Sequence, residues 1–130
     1  MTSKSIPQTG KALSAFLARV ADSKLAKDIV IMDMQDIESA PADYFLICTC
    51  DSEPQIKAVV EAIDEACVQA GMKRPRKEGF GISHWVILDF FDVVMHVMMN
   101  DTRSLYKLEK LWNDAIFFEL SEKGRLIKSK

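Results

Sequence analysis

Apolar residues recur along the chain with two different periods, and the places where the period changes divide it into elements. Leu13, Phe16, Leu17 and Val20 repeat at helical spacing, predicting a first amphipathic helix after a polar, frayed segment from Met1 to Gln8. Asp28 to Asp33 and Tyr44 to Thr49 are apolar runs too short for helices, so they read as buried strands separated by a loop around Ala40 and Pro41. Ser52 and Gln55 form a capping-box pattern, Pro54 suits a first helical turn, and Ile56, Val59, Val60, Ile63 and Cys67 are the stripe this second helix buries. Gly71 suits a left-handed cap, after which the basic stretch Lys73 to Lys77 leads to a turn at Glu78 and Gly79. Trp85–Asp89 and Asp92–Met98 read as two strands of a hairpin joined by Phe90 and Phe91. Asp101 or Thr102 can cap a third helix burying Leu105, Leu108, Leu111 and Trp112, and Phe117 and Phe118 pack back onto the domain.

This order of elements predicts an α/β fold, a mixed β-sheet flanked by helices. A length of 130 residues fits one domain with a core of its own. The expected division is a flexible N-terminus at 1–8, a single domain at 9–120 and a mobile basic tail at 121–130. No internal repeat or low-complexity segment is visible.

The hairpin draws the attention. With a two-residue turn, Asp89 faces Asp92, Ile87 faces Val94 and Trp85 faces His96, all on one face, while Val86, Leu88, Val93, Met95 and Val97 make the other face uniformly apolar. Like charges opposite each other cost roughly 0.2 to 1 kcal/mol unless a cation answers them, so the acids look like half of an interaction. Tight turns need positive φ and favour Gly, Asn or Asp. Phe90 and Phe91 therefore imply either a shifted register or two rings held at an exposed tip for a contact. His96 beside Trp85 reads as part of that face or as a core histidine under an indole. Arg103, Tyr106 and Glu109, three apart on another side of the third helix, predict the rim of a contact; Asp43 and Tyr44 at a strand start are either contact residues or turn formers.

Charge narrows the partners. A net charge of -2 disfavours general nucleic-acid binding, which draws on clustered Lys and Arg, and a basic protein surface suits the acids better. Lys73, Arg74, Arg76 and Lys77 are the one dense basic run, either a solvated connection or a minor contact to RNA. Three cysteines predict free thiols in a reducing, cytoplasmic setting, and no run of about 18 apolar residues or signal-peptide pattern indicates a membrane or export.

Between Leu25 and Ala115 the chain resembles the ribosomal silencing factor family, also called Iojap-like or RsfS. The resemblance rests on KDIVIMD from Lys27 to Asp33, ADYFLICTC from Ala42 to Cys50, Ser52 to Ala58, Glu78–Gly79, WVILDFFDVVMHV from Trp85 to Val97, and RSLYKLEKLW from Arg103 to Trp112. It implies a nucleotidyltransferase-like fold without catalysis, and a factor that binds large-subunit ribosomal protein number fourteen and blocks joining of the small subunit. It also suggests action under nutrient limitation. The chain departs from the family at the hairpin tip, where Asp89-Phe90-Phe91-Asp92 stands for the usual Asp-Tyr-Gly-Asp, and at Cys50, where Gly is usual nearby.

On this reading Trp85, Asp89, Phe90, Phe91, Asp92, His96, Asp43, Tyr44, Arg103, Tyr106 and Glu109 form the partner-binding set, with no cofactor and no metal. The alternatives are an adaptor for another basic protein through the same face, and an enzyme. A nucleotidyltransferase would need a Gly-Ser turn and closely spaced acids for two Mg²⁺ ions, but Cys50-Asp51-Ser52 stands where Gly-Ser should be and no Asp-x-Asp follows. Cys48, Cys50 and His96 could in principle hold a metal, although buried cysteines more often behave as small apolar residues. An exposed hairpin edge could also pair with its copy in a homodimer.

Overall fold

The computed structural model describes residues 9–79 and 84–129; the frayed segment expected at 1–8 lies outside them. The elements are α1 (Gly10–Ser23), β1 (Lys27–Asp33), β2 (Tyr44–Cys50), α2 (Glu53–Gln69), β3 (Arg76–Glu78), β4 (Trp85–Asp89), β5 (Val93–Met99), α3 (Asn100–Tyr106), α4 (Leu108–Leu111), β6 (Ile116–Leu120) and β7 (Leu126–Lys128). Among the described residues the strands form one mixed sheet in the order β3-β4-β5-β2-β1-β6-β7, flanked by helices. Among the described residues, only β2 and β5 pair in parallel.

Every residue of β2 is buried, as an apolar run covered on both faces requires. On one face Leu17, Ala18 and Ala21 of α1 and Ile56, Val59, Val60, Ile63 and Cys67 of α2 pack against Ile31, Leu46, Cys48, Val86, Leu88, Val93, Met95 and Val97. On the other, Met32, Phe45, Ile47, Met98 and Phe117 form a smaller core covered by the β1–β2 connection and by Leu108, Trp112 and Ala115. Local chemistry sets the helix ends. Ser52 Oγ accepts from Gln55 N, and Gln55 reaches back to the Asp51 N–H at 2.7 Å and to the Lys24 carbonyl, tying the start of α2 to the end of α1. Gly71, with φ 75°, closes α2 as bonds from Gly71 N to Val68 O and from Met72 N to Cys67 O satisfy its last carbonyls.

Four expectations are corrected. First, the hairpin register moves by two residues: Asp89 pairs with Val94, Ile87 with His96 and Trp85 with Met98, so Asp92 lies in the turn, outside β5. A shift of two preserves the side-chain alternation, so the face of Trp85, Ile87 and Asp89 with Val94 and His96 survives although its opposed pairs do not. The turn is three residues long because Phe91 takes φ 75°, with Phe90 N bonded to Val93 O and Asp92 N to Phe90 O. Second, the third helix is broken. Lys107 adopts φ 48°, ending α3 and starting α4, and α3 begins at Asn100 without a side-chain cap from Asp101 or Thr102. Third, residues 121–130 do not form a tail alone, since β7 pairs with β6, the strand that carries Phe117 and Phe118. Fourth, the basic connection supplies an edge strand, β3, on which Lys77 meets Asp64 at 2.9 Å.

Phe91 is 86% exposed and holds a conformation that costs an L-residue about 1 kcal/mol or more. Phe91→Gly is therefore expected to stabilise the fold by about 0.5 kcal/mol, read as a higher urea midpoint, after the larger unfolded-state entropy of Gly is deducted. A lower midpoint would show that the ring contributes packing that outweighs its strain.

Candidate interaction surface

A chain of aromatic contacts crosses the smaller core. The Trp85 indole N–H donates to Nδ1 of His96 at 3.0 Å, with ring centroids 5.8 Å apart. His96 lies 4.6 Å from the Phe45 ring, which meets Trp112 edge-on at 6.5 Å. Tyr106 lies on the outer side of Trp85, with centroids 4.9 Å apart. Because His96 Nδ1 accepts from Trp85, the neutral ring carries its proton on Nε2, which has no partner among the described residues. Burial holds this imidazole down to a pKa of about 4. His96 is thus a core residue that orients Trp85, and it offers nothing to a partner directly.

Leu105 and Tyr106 lie beside Trp85, and both Leu105 and Leu111, which spacing predicts to be buried, are exposed. Leu105 is 74% exposed, Tyr106 55% and Leu111 67%. A straight helix would turn both leucines onto the sheet, whereas the break at Lys107 leaves α3 and α4 with no fully buried residue and only Leu108 and Trp112 packed inward. Gly79, His84, Trp85, Asp101, Thr102, Leu105 and Tyr106 line an open hollow of about 650 Å³. Gly79 is needed there: its φ is 80°, and a Cβ would lie 2.4 Å from the Trp85 carbonyl oxygen. The residue that α3 does turn onto the sheet is Arg103. It donates from Nε and Nη2 to Glu109 at 3.1 and 2.9 Å, and from Nη1 to Thr49 Oγ1 at 2.8 Å and to the Asp28 carbonyl.

The sequence-selected residues therefore fall into three sets. At the far end of β4, about 13 Å from Trp85 by strand rise, Asp89, Phe90, Phe91 and Asp92 form the hairpin tip. The Asp92 carbonyl there accepts from the backbone N–H groups of Asp43 and Tyr44. Asp89 is partly occupied as well, accepting from Phe91 N at 2.7 Å. Trp85 and Tyr106 form the second set, with Leu105 as the residue that spacing had assigned to the core. The third set is internal: Tyr44 and His96 are buried, and Arg103 and Glu109 bond to each other. Cys48 and Cys50 cannot share a metal with His96, because they face α1 and α2 while His96 faces the opposite side of the sheet. A hydrogen bond with Cys50, then burial, pushes the Cys48 thiol well above its ordinary value. Among the described residues no cluster of three His, Cys, Asp or Glu could hold a metal ion, and no helix is long and apolar enough to cross a membrane.

A family profile described as "Ribosomal silencing factor during starvation" matches residues 7–129. The "Ribosomal silencing factor RsfS" of Bacillus subtilis is 42% identical over 110 residues, covering 85% of this chain and 92% of that protein. A more distant mouse relative, "Mitochondrial assembly of ribosomal large subunit protein 1", is 30% identical over 90 residues, covering 67% of this chain and 39% of that protein. A crystal structure of a Chromobacterium violaceum protein superposes with a TM-score of 0.75 at 28% identity, covering 82% of this chain and 88% of that one.

The buried imidazole sets an acid limit. Folding depresses the His96 pKa from 6.5 to about 4, so between those values the unfolded chain binds the additional proton. The group's full contribution to stability is present above about pH 6.5, and on the order of 2 to 3 kcal/mol is lost as the pH falls toward 4. Urea unfolding at pH 7 and pH 4.5 is expected to record a smaller loss for His96→Phe than for the parent chain. Equal losses would assign the acid sensitivity to the carboxylates instead.

Proposed function

The chain belongs to the ribosomal silencing factor family, and from that membership we propose that it binds the large ribosomal subunit through ribosomal protein number fourteen and so blocks joining of the small subunit, repressing translation. The observation that carries this reading is an apolar surface of exposed Leu105 and Tyr106 beside the half-buried Trp85, on a chain whose family description and relatives' names refer to ribosomes. Leucine and aromatic side chains left in water gain free energy when a partner covers them, and such anchors dominate binding in interface centres. Asp89 and Asp92 at the hairpin tip, with Asp43 beside them, supply negative charge at the rim, where exposed pairs orient a basic partner and contribute about 0 to 1 kcal/mol each.

The action is steric, so occupancy of the subunit surface suffices and no bond-making group is required. The similarity to a bacterial relative over most of both chains supports a cytoplasmic location. Lys73, Arg74 and Arg76 on the β3 side are available for a minor contact to ribosomal RNA, and the exposed Phe91 tip for a second copy of the chain.

Purified protein is expected to co-sediment with isolated large subunits and to reduce whole-ribosome formation when small subunits are added. Binding without reduced joining would leave an adaptor, and absence of binding would sink the reading. Leu105→Asp and Tyr106→Ala are each expected to weaken binding by about 2 kcal/mol, roughly thirtyfold. Leu105 is 74% exposed, so Leu105→Asp should change stability by only about 0.5 kcal/mol, whereas Tyr106→Ala also removes the contact with Trp85 and should cost about 1 kcal/mol.

A further inference from the structure

We infer that Arg103 is a positioning residue for the docking surface, fastening α3 and α4 to the sheet and so holding Leu105 and Tyr106 where a partner meets them. This inference rests on the docking reading given above. The two helices have seven and four residues, neither has a side-chain N-cap, and none of their residues is fully buried. Segments of that length do not hold helical form alone in water. Leu108, Trp112 and the tilted ring contact of Tyr106 with Trp85 supply part of the anchorage. The rest converges on one guanidinium.

Arg103 uses four of its five N–H groups, and the partners come from three places. The two-point contact with Glu109 spans the break at Lys107, joining α3 to α4 with the directional fix that a fork on a carboxylate gives. Thr49 carries the one hydroxyl of β2 on that face, and its Oγ1 accepts from Arg103. Asp28 lies at the register shift between Lys27 and Val30, outside the β1–β2 pairs, where its carbonyl meets the same guanidinium. The side chain is only 11% exposed and Glu109 34%, so water competes weakly for these bonds. A Lys at this position would present a single ammonium and could not reproduce the planar fork.

The consequence for binding is a population effect. If α3 and α4 leave the sheet for most of the time, apparent affinity falls in proportion to the competent fraction that remains. A drop of that fraction to about a tenth weakens binding about tenfold.

The test compares the full chain with Arg103→Gln and Glu109→Gln by amide hydrogen exchange, urea unfolding and co-sedimentation with isolated large subunits. Expected are faster exchange confined to residues 100–112, an unfolding transition that stays cooperative, and binding weakened about tenfold for Arg103→Gln and less for Glu109→Gln, which retains the Thr49 and Asp28 bonds. Unchanged exchange in both variants would overturn the fastening role. Faster exchange with unchanged binding would overturn the link to docking. If Arg103→Gln does not fold, Glu109→Gln decides on the same criteria. If the parent chain itself fails to bind, the docking reading falls and with it the positioning role, while exchange at 100–112 still decides the fastening.

Discussion

Burial of β2 from both sides is the constraint on which the rest of the structure depends. Seven consecutive residues of this strand are buried, and its parallel pairing with β5 fixes the centre of the sheet. A strand buried on both faces obliges each face to be covered, and the chain covers them unequally. Two full helices, α1 and α2, close one side with a continuous aliphatic stripe. The other side receives a connection and two short helices that contribute no fully buried residue, over a smaller core. Polar fastening therefore appears on the thin side: Trp85 bonds to His96, and Arg103 to Glu109, Thr49 and the Asp28 carbonyl.

The thick side was the legible one. Helical spacing of Ile56, Val59, Val60 and Ile63, the cap at Ser52 and the turn at Gly71 are local signals, and each corresponds to what these residues do in the fold. The two faces of the hairpin were legible too, because alternation is set by strand geometry whatever the register. The register itself depended on the turn. Phe90-Phe91 signals that a two-residue turn is disfavoured and the register can shift, but not that Phe91 itself takes positive φ in a three-residue loop. Asp89 stabilises that choice by accepting from the Phe91 N–H, a role for the acid that charge counting alone does not suggest.

The thin side departs from its sequence pattern for a related reason. Leu105, Leu108 and Leu111 have the spacing of a buried helical stripe, and a spacing argument assumes that the helix continues. Lys107 ends it, and no proline or glycine marks the place. The sequence likewise shows that Arg103 and Glu109 are near each other, but not that Thr49 and the Asp28 carbonyl come from more than fifty residues away to meet them. Long-range hydrogen bonds leave no periodic trace. Their absence from the pattern is why spacing alone places internally bonded residues at a rim, and exposed leucine in the core.

Unequal cover also bears on how one small domain could combine affinity with orientation. The aromatic and aliphatic surface around Trp85, Leu105 and Tyr106 and the acidic hairpin tip lie at opposite ends of β4, about 13 Å apart. A partner of ordinary interface size covers about 800 Å² on each side, a patch roughly 30 Å across, and can reach both ends at once. The apolar end would then carry most of the free energy, while the charges at the other end would select among rotations about it. Such a division works only if the two ends keep a fixed distance. The hairpin tip is carried directly by the sheet, whereas Leu105 and Tyr106 are carried by a short helix that its own contacts could not order. Ordering that segment before the partner arrives lowers the entropy cost of association. The thin layer can serve as a recognition surface to the extent that its polar bonds make it as rigid as the strands beneath it.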